Sequence, residues 1–375
     1  MKKYGYFKAL LSGIFSSLFI ALALIIGCGG GGDDGGGGGT AQPSDSFGTI
    51  LSSGILEKIA PGSDQGESVA EYWTKERMER AVRNSANLRR PVDLKAGLSS
   101  LGKMTRQVPG GIGKSFAPYN PDAGWEAASV TGAAMSGASP SWSSKADFSC
   151  PPSSYKLYST RGHEYYPERT MGALFFTMQD EVYMCSAALV GRRMILTAAH
   201  CVSSNAAWHG KFMFVPGFNS GSNWKPYGNF SASQALVYSG WFNNEFVPAD
   251  YAIIMLNEAV GDQIGWLGFS YDQVTDGQTW DQWGYPGEPV GDSMTLIMNR
   301  SAYGGEECSA GAPCRLVAGS GLVEGTSGGP WILWDASNPH ANSVESYYLP
   351  SCSASVSPYF DRHAGNLFMA AERLQ

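Results

Sequence analysis

Short runs of β-forming residues, separated by turn residues, recur through the second half of the chain and constrain its fold more than any other feature. They include residues 172–177, 182–185, 194–197, 212–215 and 251–256. No long helical period intervenes, and no repeat of about 20 to 50 residues is evident. Roughly 215 residues of closely spaced short strands predict an all-β barrel or sandwich.

Size and charge limit the classes of protein to which the chain can belong. It has 375 residues, 43% of them hydrophobic, which is enough for a large core. Residues 1–110 hold 13 Lys and Arg against 10 Asp and Glu, whereas residues 111–375 hold 13 against 23. The larger part would repel phosphate backbones, so we expect no nucleic-acid partner. Only one stretch, before residue 28, is apolar enough to cross a bilayer, which excludes a membrane transporter.

Three short segments carry side chains suited to nucleophilic catalysis. His200 lies in the string Leu-Thr-Ala-Ala-His-Cys, Asp250 in Pro-Ala-Asp-Tyr-Ala-Ile-Ile, and Ser327 in Gly-Thr-Ser-Gly-Gly-Pro. A serine hydroxyl is a poor nucleophile until an imidazole removes its proton, and a carboxylate is needed to fix the tautomer of that imidazole. The glycines allow a tight turn that can aim the amides of Gly325 and Ser327 at a developing oxyanion.

Each of these signals is weak alone, but together and in this order they resemble the trypsin-like superfamily of serine endopeptidases. The resemblance is closest to the secreted bacterial branch that includes the glutamyl endopeptidases, and it runs from about Tyr166 to the C-terminus. We therefore place the protease domain at residues 166–375. Further strings that resemble this branch lie at residues 170–176, 184–187, 214–216, 284–287 and 327–331.

The resemblance implies a fold and a set of roles. The fold is all-β, with two packed six-stranded antiparallel β-barrels and the active site in the cleft between them. His200 is then the general base, Asp250 orients it, and Ser327 attacks the peptide bond to form an acyl-enzyme. Gly325 and Ser327 supply the oxyanion hole. We expect protein or peptide substrates and no cofactor, and no metal because the sequence lacks Cys-x-x-Cys and His-x-x-x-His spacings.

Activation and specificity are expected to differ from the better-known enzymes. In pancreatic-type enzymes an Asp immediately before the serine pairs with the amino group freed by cleavage, and here that residue is Thr326.

Trypsin selects Arg or Lys through an Asp six positions before the serine, where this chain has Gly321. Glutamyl endopeptidases use a His on the strand after the serine, whereas the aligned residues 344–349 hold none and include Glu345; His340 could serve only if the alignment shifts. We expect preference for an uncharged, apolar or aromatic residue before the scissile bond.

Two other functions are compatible with parts of the sequence. The string around Ser327 also fits the nucleophile elbow of α/β-hydrolases, with His340 or His363 as the base, but the elbow must lead into a helix. The following residues, 328–334, favour an extended chain instead. The second alternative is a catalytically inactive protease homologue that acts as a surface binding protein.

The cysteines suggest an oxidising compartment. The chain has seven cysteines, and one of them, near the N-terminus, is a candidate for lipidation. The other six can form three disulfides in 15 different pairings. The resemblance implies one bridge beside His200, a second pair is close in sequence before Ser327, and the last pair follows by elimination. The expected bridges are Cys185–Cys201, Cys308–Cys314 and Cys150–Cys352.

An export signal is expected at the N-terminus. Lysines precede an apolar run at residues 9–26, which ends in Gly27 and Cys28. This end resembles a bacterial lipoprotein signal, in which the Cys is acylated and becomes the new N-terminus. We expect residues 1–27 to be the signal peptide and Cys28 to anchor the protein at the bacterial cell envelope, facing the periplasm or the surface. The alternative is an uncleaved membrane helix.

Two further regions separate this signal from the protease domain. Ten of the residues 27–39 are Gly, which predicts a flexible tether at 28–39 because such a segment cannot bury apolar area. In the region 40–165, Ser68 and Glu71 fit a capping box and helix formers follow, so we expect one amphipathic helix near 68–84 that docks on the rest of the chain. Its Tyr-Trp-Thr-Lys-Glu-Arg-Met string resembles pro-segments of secreted serine peptidases; an ordinary linker helix is the alternative.

Overall fold

The computed structural model describes residues 55–59, 68–85, 88, 110–113, 134–135, 154–308 and 313–375. The expected signal peptide, Cys28 and the Gly-rich tether lie outside these ranges. Within them, no helix is both long enough and apolar enough to span a membrane.

Most of the described elements are β-strands. The strands are β1 (Ile55–Ile59), β2 (Gly110–Gly113), β3 (Ala134–Met135), β4 (Tyr155–Ser159), β5 (Met171–Met178), β6 (Glu181–Leu189), β7 (Met194–Thr197), β8 (Ser203–Ser204), β9 (Ala207–Trp208), β10 (Gly210–Pro216), β11 (Phe230–Tyr238), β12 (Ala252–Leu256), β13 (Gly268–Tyr271), β14 (Thr279–Gly284), β15 (Ile297–Glu307), β16 (Arg315–Gly319), β17 (Pro330–Asp335), β18 (Asn338–Val344), β19 (Tyr347–Leu349) and β20 (Ala354–Ser357).

The helices are few and short. The α-helices are α1 (Val69–Tyr72), α2 (Lys75–Asn84), α3 (Ser239–Asn244), α4 (Gly261–Ile264) and α5 (Arg362–Glu372). Single 3₁₀ turns occupy Glu168–Thr170, Ala199–Cys201, Val247–Ala249 and Pro350–Cys352.

Six strands of the first sheet close into a barrel. Their order is β11, β10, β5, β6, β7 and β12, and the barrel closes because β12 also pairs with β11. The runs of β-formers seen in the sequence supply its interior, where Phe175, Phe214 and Ile253 are fully buried. Closure pairs strands that would otherwise be edges. The mostly β fold and one six-stranded barrel of the prediction are therefore confirmed.

The second sheet does not close through the pairings of the described strands. Its main path is β19, β20, β16, β15, β14, β17, β18, β13 and β2, with β4 joined to β15 and β3 to β4. Strand β18 ends at Val344 and β19 begins at Tyr347, so regular strand pairing is interrupted at the two residues between them. A second closed barrel is thus not confirmed.

The helical segment before the barrel differs from the single helix that the sequence predicts. Ser68 and Glu71 form the capping box, with Glu71 N donating to Ser68 Oγ (3.2 Å) and Ser68 N to Glu71 Oε2 (2.9 Å). The helix then breaks, and Thr74 caps a second one. The break frees Trp73 to enter the core, where its Nε1 donates to the Lys211 carbonyl (2.5 Å). Tertiary packing has overridden helix propensity at this residue.

Candidate active site

His200 is held at the end of a barrel strand. It lies in the 3₁₀ turn that follows β7, and the disulfide between Cys185 and Cys201 ties this turn to β6. Its ring lies 6.3 Å from the rings of Trp241 and Tyr347, centroid to centroid, and 14% of its side chain is exposed. The imidazole is therefore fixed in place at the border of the interior.

Asp250 orients this imidazole. It follows the turn that leads into β12 and is fully buried. Its Oδ1 accepts a hydrogen bond from His200 N (2.8 Å), and its Oδ2 lies 2.8 Å from His200 Nδ1 and accepts from Ser346 Oγ (2.6 Å). Since a carboxylate accepts, Nδ1 carries the proton and Nε2 is left as the basic atom.

Ser327 lies in a tight turn that only glycine neighbours permit. Gly325 and Gly328 have φ angles of 93° and 81°. A Cβ on Gly325 would collide with the Tyr285 carbonyl, and one on Gly328 with the Thr197 hydroxyl. The turn is thus fixed by both backbone conformation and close packing.

The peptide groups beside Ser327 are anchored through their carbonyls. Ser186 N donates to the Ser327 carbonyl (2.7 Å), and Ser186 Oγ donates to the Gly325 carbonyl (3.0 Å). Within the described part of the chain, the amides of Gly325 and Ser327 make no hydrogen bond. Two backbone N–H groups beside Ser327 that make no internal hydrogen bond to other described residues are what an oxyanion hole would require.

Ser327 Oγ and His200 Nε2 are not hydrogen-bonded to each other. Ser327 Oγ and His200 Nε2 are both buried, and neither has a hydrogen-bond partner among the described residues. In substrate-free sites this bond is often long and forms only in the substrate complex. The structure thus joins Asp250 and His200 directly and holds the Ser327 peptide against Ser186, the neighbour of the Cys185 that is bonded to the His200 turn.

Ser346 is a site residue that sequence reasoning missed. It lies between β18 and β19, where the second sheet is interrupted, and donates to Asp250 Oδ2. A buried carboxylate needs donors for both oxygens. That requirement was the available signal, but it does not identify the donor.

The residues expected to govern specificity have defined environments. A Cβ on Gly321 would lie 2.6 Å from Tyr155 Cε2, so an aromatic ring fills the space that a side chain at this position would need. Glu345 is fully buried, and its carboxylate accepts from Trp331 Nε1 and Ser355 Oγ, both at 2.8 Å. The Glu345 carboxylate therefore lies in the interior of the second sheet.

The two other histidines named as possible bases lie in elements other than the turn that contains Ser327. His340 lies in β18 opposite Leu333, and burial lowers its pKa. His363 lies in α5, with Nδ1 2.6 Å from Asp361 Oδ2. Residues after Ser327 form strand β17 and not a helix. The α/β-hydrolase alternative is therefore wrong for this chain.

A cavity of about 160 Å³ opens beside His200. Its wall combines polar and apolar side chains, and one of the apolar ones, Leu88, follows the helical segment before the barrel. The lining residues are Leu88, Met178, Gln179, His200, Ser204, Asn205, Trp241, Glu245, Ser346 and Tyr347.

The structure contains the Cys185–Cys201 and Cys308–Cys314 bonds. Cys352 is also disulfide-bonded, but its expected partner Cys150 lies outside the described residues.

Comparison with known proteins agrees with this geometry. The family model described as Trypsin matches residues 159–353, more than half of the chain. A glutamyl endopeptidase of Bacillus licheniformis is 32% identical over 177 residues, which are 40% of this chain and 55% of that protein. A protein named extracellular metalloprotease, from Bacillus subtilis, is 35% identical over 91 residues, 24% of this chain and 28% of that one. The chain thus spans about half or less of the length of these relatives.

A solved structure also resembles the fold. The thermostable serine protease AL20, from an extremophilic microorganism, aligns with a TM-score of 0.50 at 22% identity. The alignment covers 56% of this chain and 99% of that one.

Proposed function

The chain belongs to the trypsin family, and from that premise we propose that it is a serine endopeptidase that cuts peptide bonds through His200, Asp250 and Ser327. The family and the bacterial branch that the motifs resemble are confirmed by the family match and the glutamyl endopeptidase relative. The observation that carries the proposed mechanism is the Asp250 carboxylate, which fixes His200 through two hydrogen bonds and leaves Nε2 basic. The intact set of three side chains favours an active enzyme over an inactive homologue.

In the proposed reaction, substrate binding closes the gap between His200 Nε2 and Ser327 Oγ. Nε2 takes the hydroxyl proton while Oγ forms a bond to the substrate carbonyl carbon. The Gly325 and Ser327 amides hold the resulting oxyanion, and the loss of one such donor costs about 100- to 1,000-fold in rate. The imidazolium then gives its proton to the leaving amine as the C–N bond breaks. Water, activated by the same imidazole, hydrolyses the acyl-enzyme.

For the residue before the scissile bond we propose an uncharged, apolar or aromatic preference. Two observations support it. Gly321 offers no carboxylate to a substrate cation, and Tyr155 occupies the neighbouring space. Glu345 is fully buried and accepts hydrogen bonds from Trp331 and Ser355, and its carboxylate would repel a substrate anion brought near it.

Three finer features of the molecule belong to the same proposal. The second sheet is the second barrel of the family, with β18 and β19 as two halves of one strand. The protein is exported, which disulfides within the domain support. It is held at the bacterial envelope by a lipid on Cys28.

The test of the proposed function is hydrolysis of a peptide library by the wild-type chain and by Ser327→Ala. We expect cleavage by the wild type and none by the variant, with the two proteins melting at the same temperature. Equal cleavage by both would contradict the proposed mechanism.

A further inference from the structure

Strand β6 has one edge on which an extended peptide can bind. β6 pairs with β5 along most of its length, whereas on its opposite edge it pairs with β7 only at Ala188 and Leu189. On this opposite edge, Ser186 N donates to the carbonyl of Ser327, the proposed nucleophile. The next groups outward on this edge are Met184 N, about 7 Å farther along, and the Val182 carbonyl. An extended peptide that passes Ser327 could add to this edge as a strand.

The end of helix α2 already occupies these two groups. Met184 N donates to Ser85 Oγ (2.8 Å), and Asn84 Nδ2 donates to the Val182 carbonyl (2.9 Å). Ser85 is fully buried, and its hydroxyl also donates to the Ala81 carbonyl (2.6 Å). Side chains of the helix thus make the hydrogen bonds that a substrate backbone would make.

The helix is held there by buried apolar side chains. Trp73, Met78 and Ala81 are at most 4% exposed and join the core of the first barrel. The Trp73 ring lies 5.5 Å from that of Phe175 in β5, centroid to centroid. These contacts give the segment a stable position against the barrel independent of its contacts with the edge of β6.

Beyond the helix, the chain reaches the catalytic base. Leu88 N donates to the Ser85 carbonyl (3.1 Å), and the Leu88 side chain lines the cavity beside His200. In this state Ser327 is 1% exposed, and its hydroxyl oxygen has no contact with solvent.

We propose that residues 68–85 and 88, the inhibitory segment, regulate the enzyme by occupying the β6 edge and the cavity beside His200. This inference rests on the proposed function. The segment must leave the β6 edge before a substrate can bind along it. The family switch through an Asp before the serine is replaced by Thr326, which is buried and donates to the Val323 carbonyl (2.8 Å). Displacement of the inhibitory segment supplies a different route to activation.

The test compares four intact full-length chains: wild type, Leu88→Ala, Ser85→Ala and Glu79→Ala. The first two substitutions remove contacts with the cavity and with Met184 N, whereas Glu79 is on the exposed side of α2 and serves as the control. The rate of labelling of Ser327 by a fluorophosphonate and the initial rate of hydrolysis of an extended peptide are measured for each. The chain mass is checked before and after each assay.

We expect Ser85→Ala to raise both rates by roughly tenfold over the wild type, the factor that one lost hydrogen bond gives. Leu88→Ala should raise them by a similar factor because it removes buried apolar contact, and Glu79→Ala should change neither. Rates in the wild type equal to or above those of both variants would overturn the inference and leave the proposed function standing. No labelling of Ser327 in any chain would instead reject the proposed function, and the inference with it. If Ser85→Ala unfolds, Leu88→Ala decides, because that side chain is only partly buried.

Discussion

Asp250 is the residue on which the geometry of the site depends most. Its buried carboxylate accepts from three donors, two of them on His200. The contact of Asp250 with His200 could be predicted from short motifs, because each residue, like Ser327, lies in a recognisable local string. Ser346 could not, because it is 96 residues from Asp250 and a lone Ser in a strand-like stretch has no spacing signal.

We predict that Ser346→Ala lowers kcat by about 10- to 100-fold and leaves KM nearly unchanged, because a hydrogen bond to a buried charge is lost and the imidazole is less well oriented. Steady-state kinetics on a peptide substrate measure both constants. Ser355→Ala is the matched control, since Ser355 donates to Glu345 and not to Asp250. An equal fall in kcat for both variants would show that the effect is general damage to the second sheet.

Substrate specificity also depends on single residues, and we predict cleavage mainly after uncharged residues. The space at Gly321 is filled by Tyr155, and the Glu345 carboxylate has its own buried donors. Peptide-library profiling with a Ser327→Ala control gives the preference directly. Cleavage mainly after Glu, or mainly after Arg and Lys, would mean that other residues form the pocket.

At the scale of elements, hydrogen-bonding patterns were predictable where they are local. The Ser68 capping box follows from residues three positions apart. The helix break at Trp73 does not, because it depends on contacts with Phe175 and Lys211 of the barrel, which are far away in the chain. The interruption between β18 and β19 is similar, since it places Ser346 against Asp250, far away in the chain.

The disulfide beside His200 provides a test at this scale. We predict that replacing Cys185 and Cys201 by Ala lowers the free energy of unfolding by about 2 to 4 kcal/mol, because the bond constrains the unfolded chain. Replacing Cys308 and Cys314 should cost less, since 6 residues separate that pair against 16 for the first. Chemical denaturation measures both changes, and non-reducing peptide mapping checks the pairing. Free thiols at 185 and 201, or the reverse order of effects, would contradict the prediction.

At the scale of the whole molecule, one chain combines a family domain at 159–353 with a preceding segment that packs into its first barrel. The recurring short runs of β-forming residues were enough to predict the mostly β fold. The position of the helical segment could not be predicted. An amphipathic pattern indicates that a helix packs against the rest of the chain, but it does not indicate against which strand. The contacts of Asn84 and Ser85 with β6 supply that answer.

We predict that Cys28→Ala moves the protein from the membrane fraction to the soluble fraction of the cell envelope, because we propose that a lipid on Cys28 is its anchor. Cell fractionation after a high-salt wash, followed by mass spectrometry of the N-terminal peptide, measures this change. Retention of the variant in the membrane fraction would favour an uncleaved apolar helix.

The central claim, that Ser327 is the nucleophile activated by His200, is tested most directly by covalent labelling. The wild-type, Ser327→Ala and His200→Ala chains are incubated at length with a fluorophosphonate, and the modified peptide is located by mass spectrometry. We predict one label, on the peptide that contains Ser327, absent from Ser327→Ala and formed far more slowly in His200→Ala. Labelling that persists in Ser327→Ala, or that falls on another residue of the wild type, would contradict the claim.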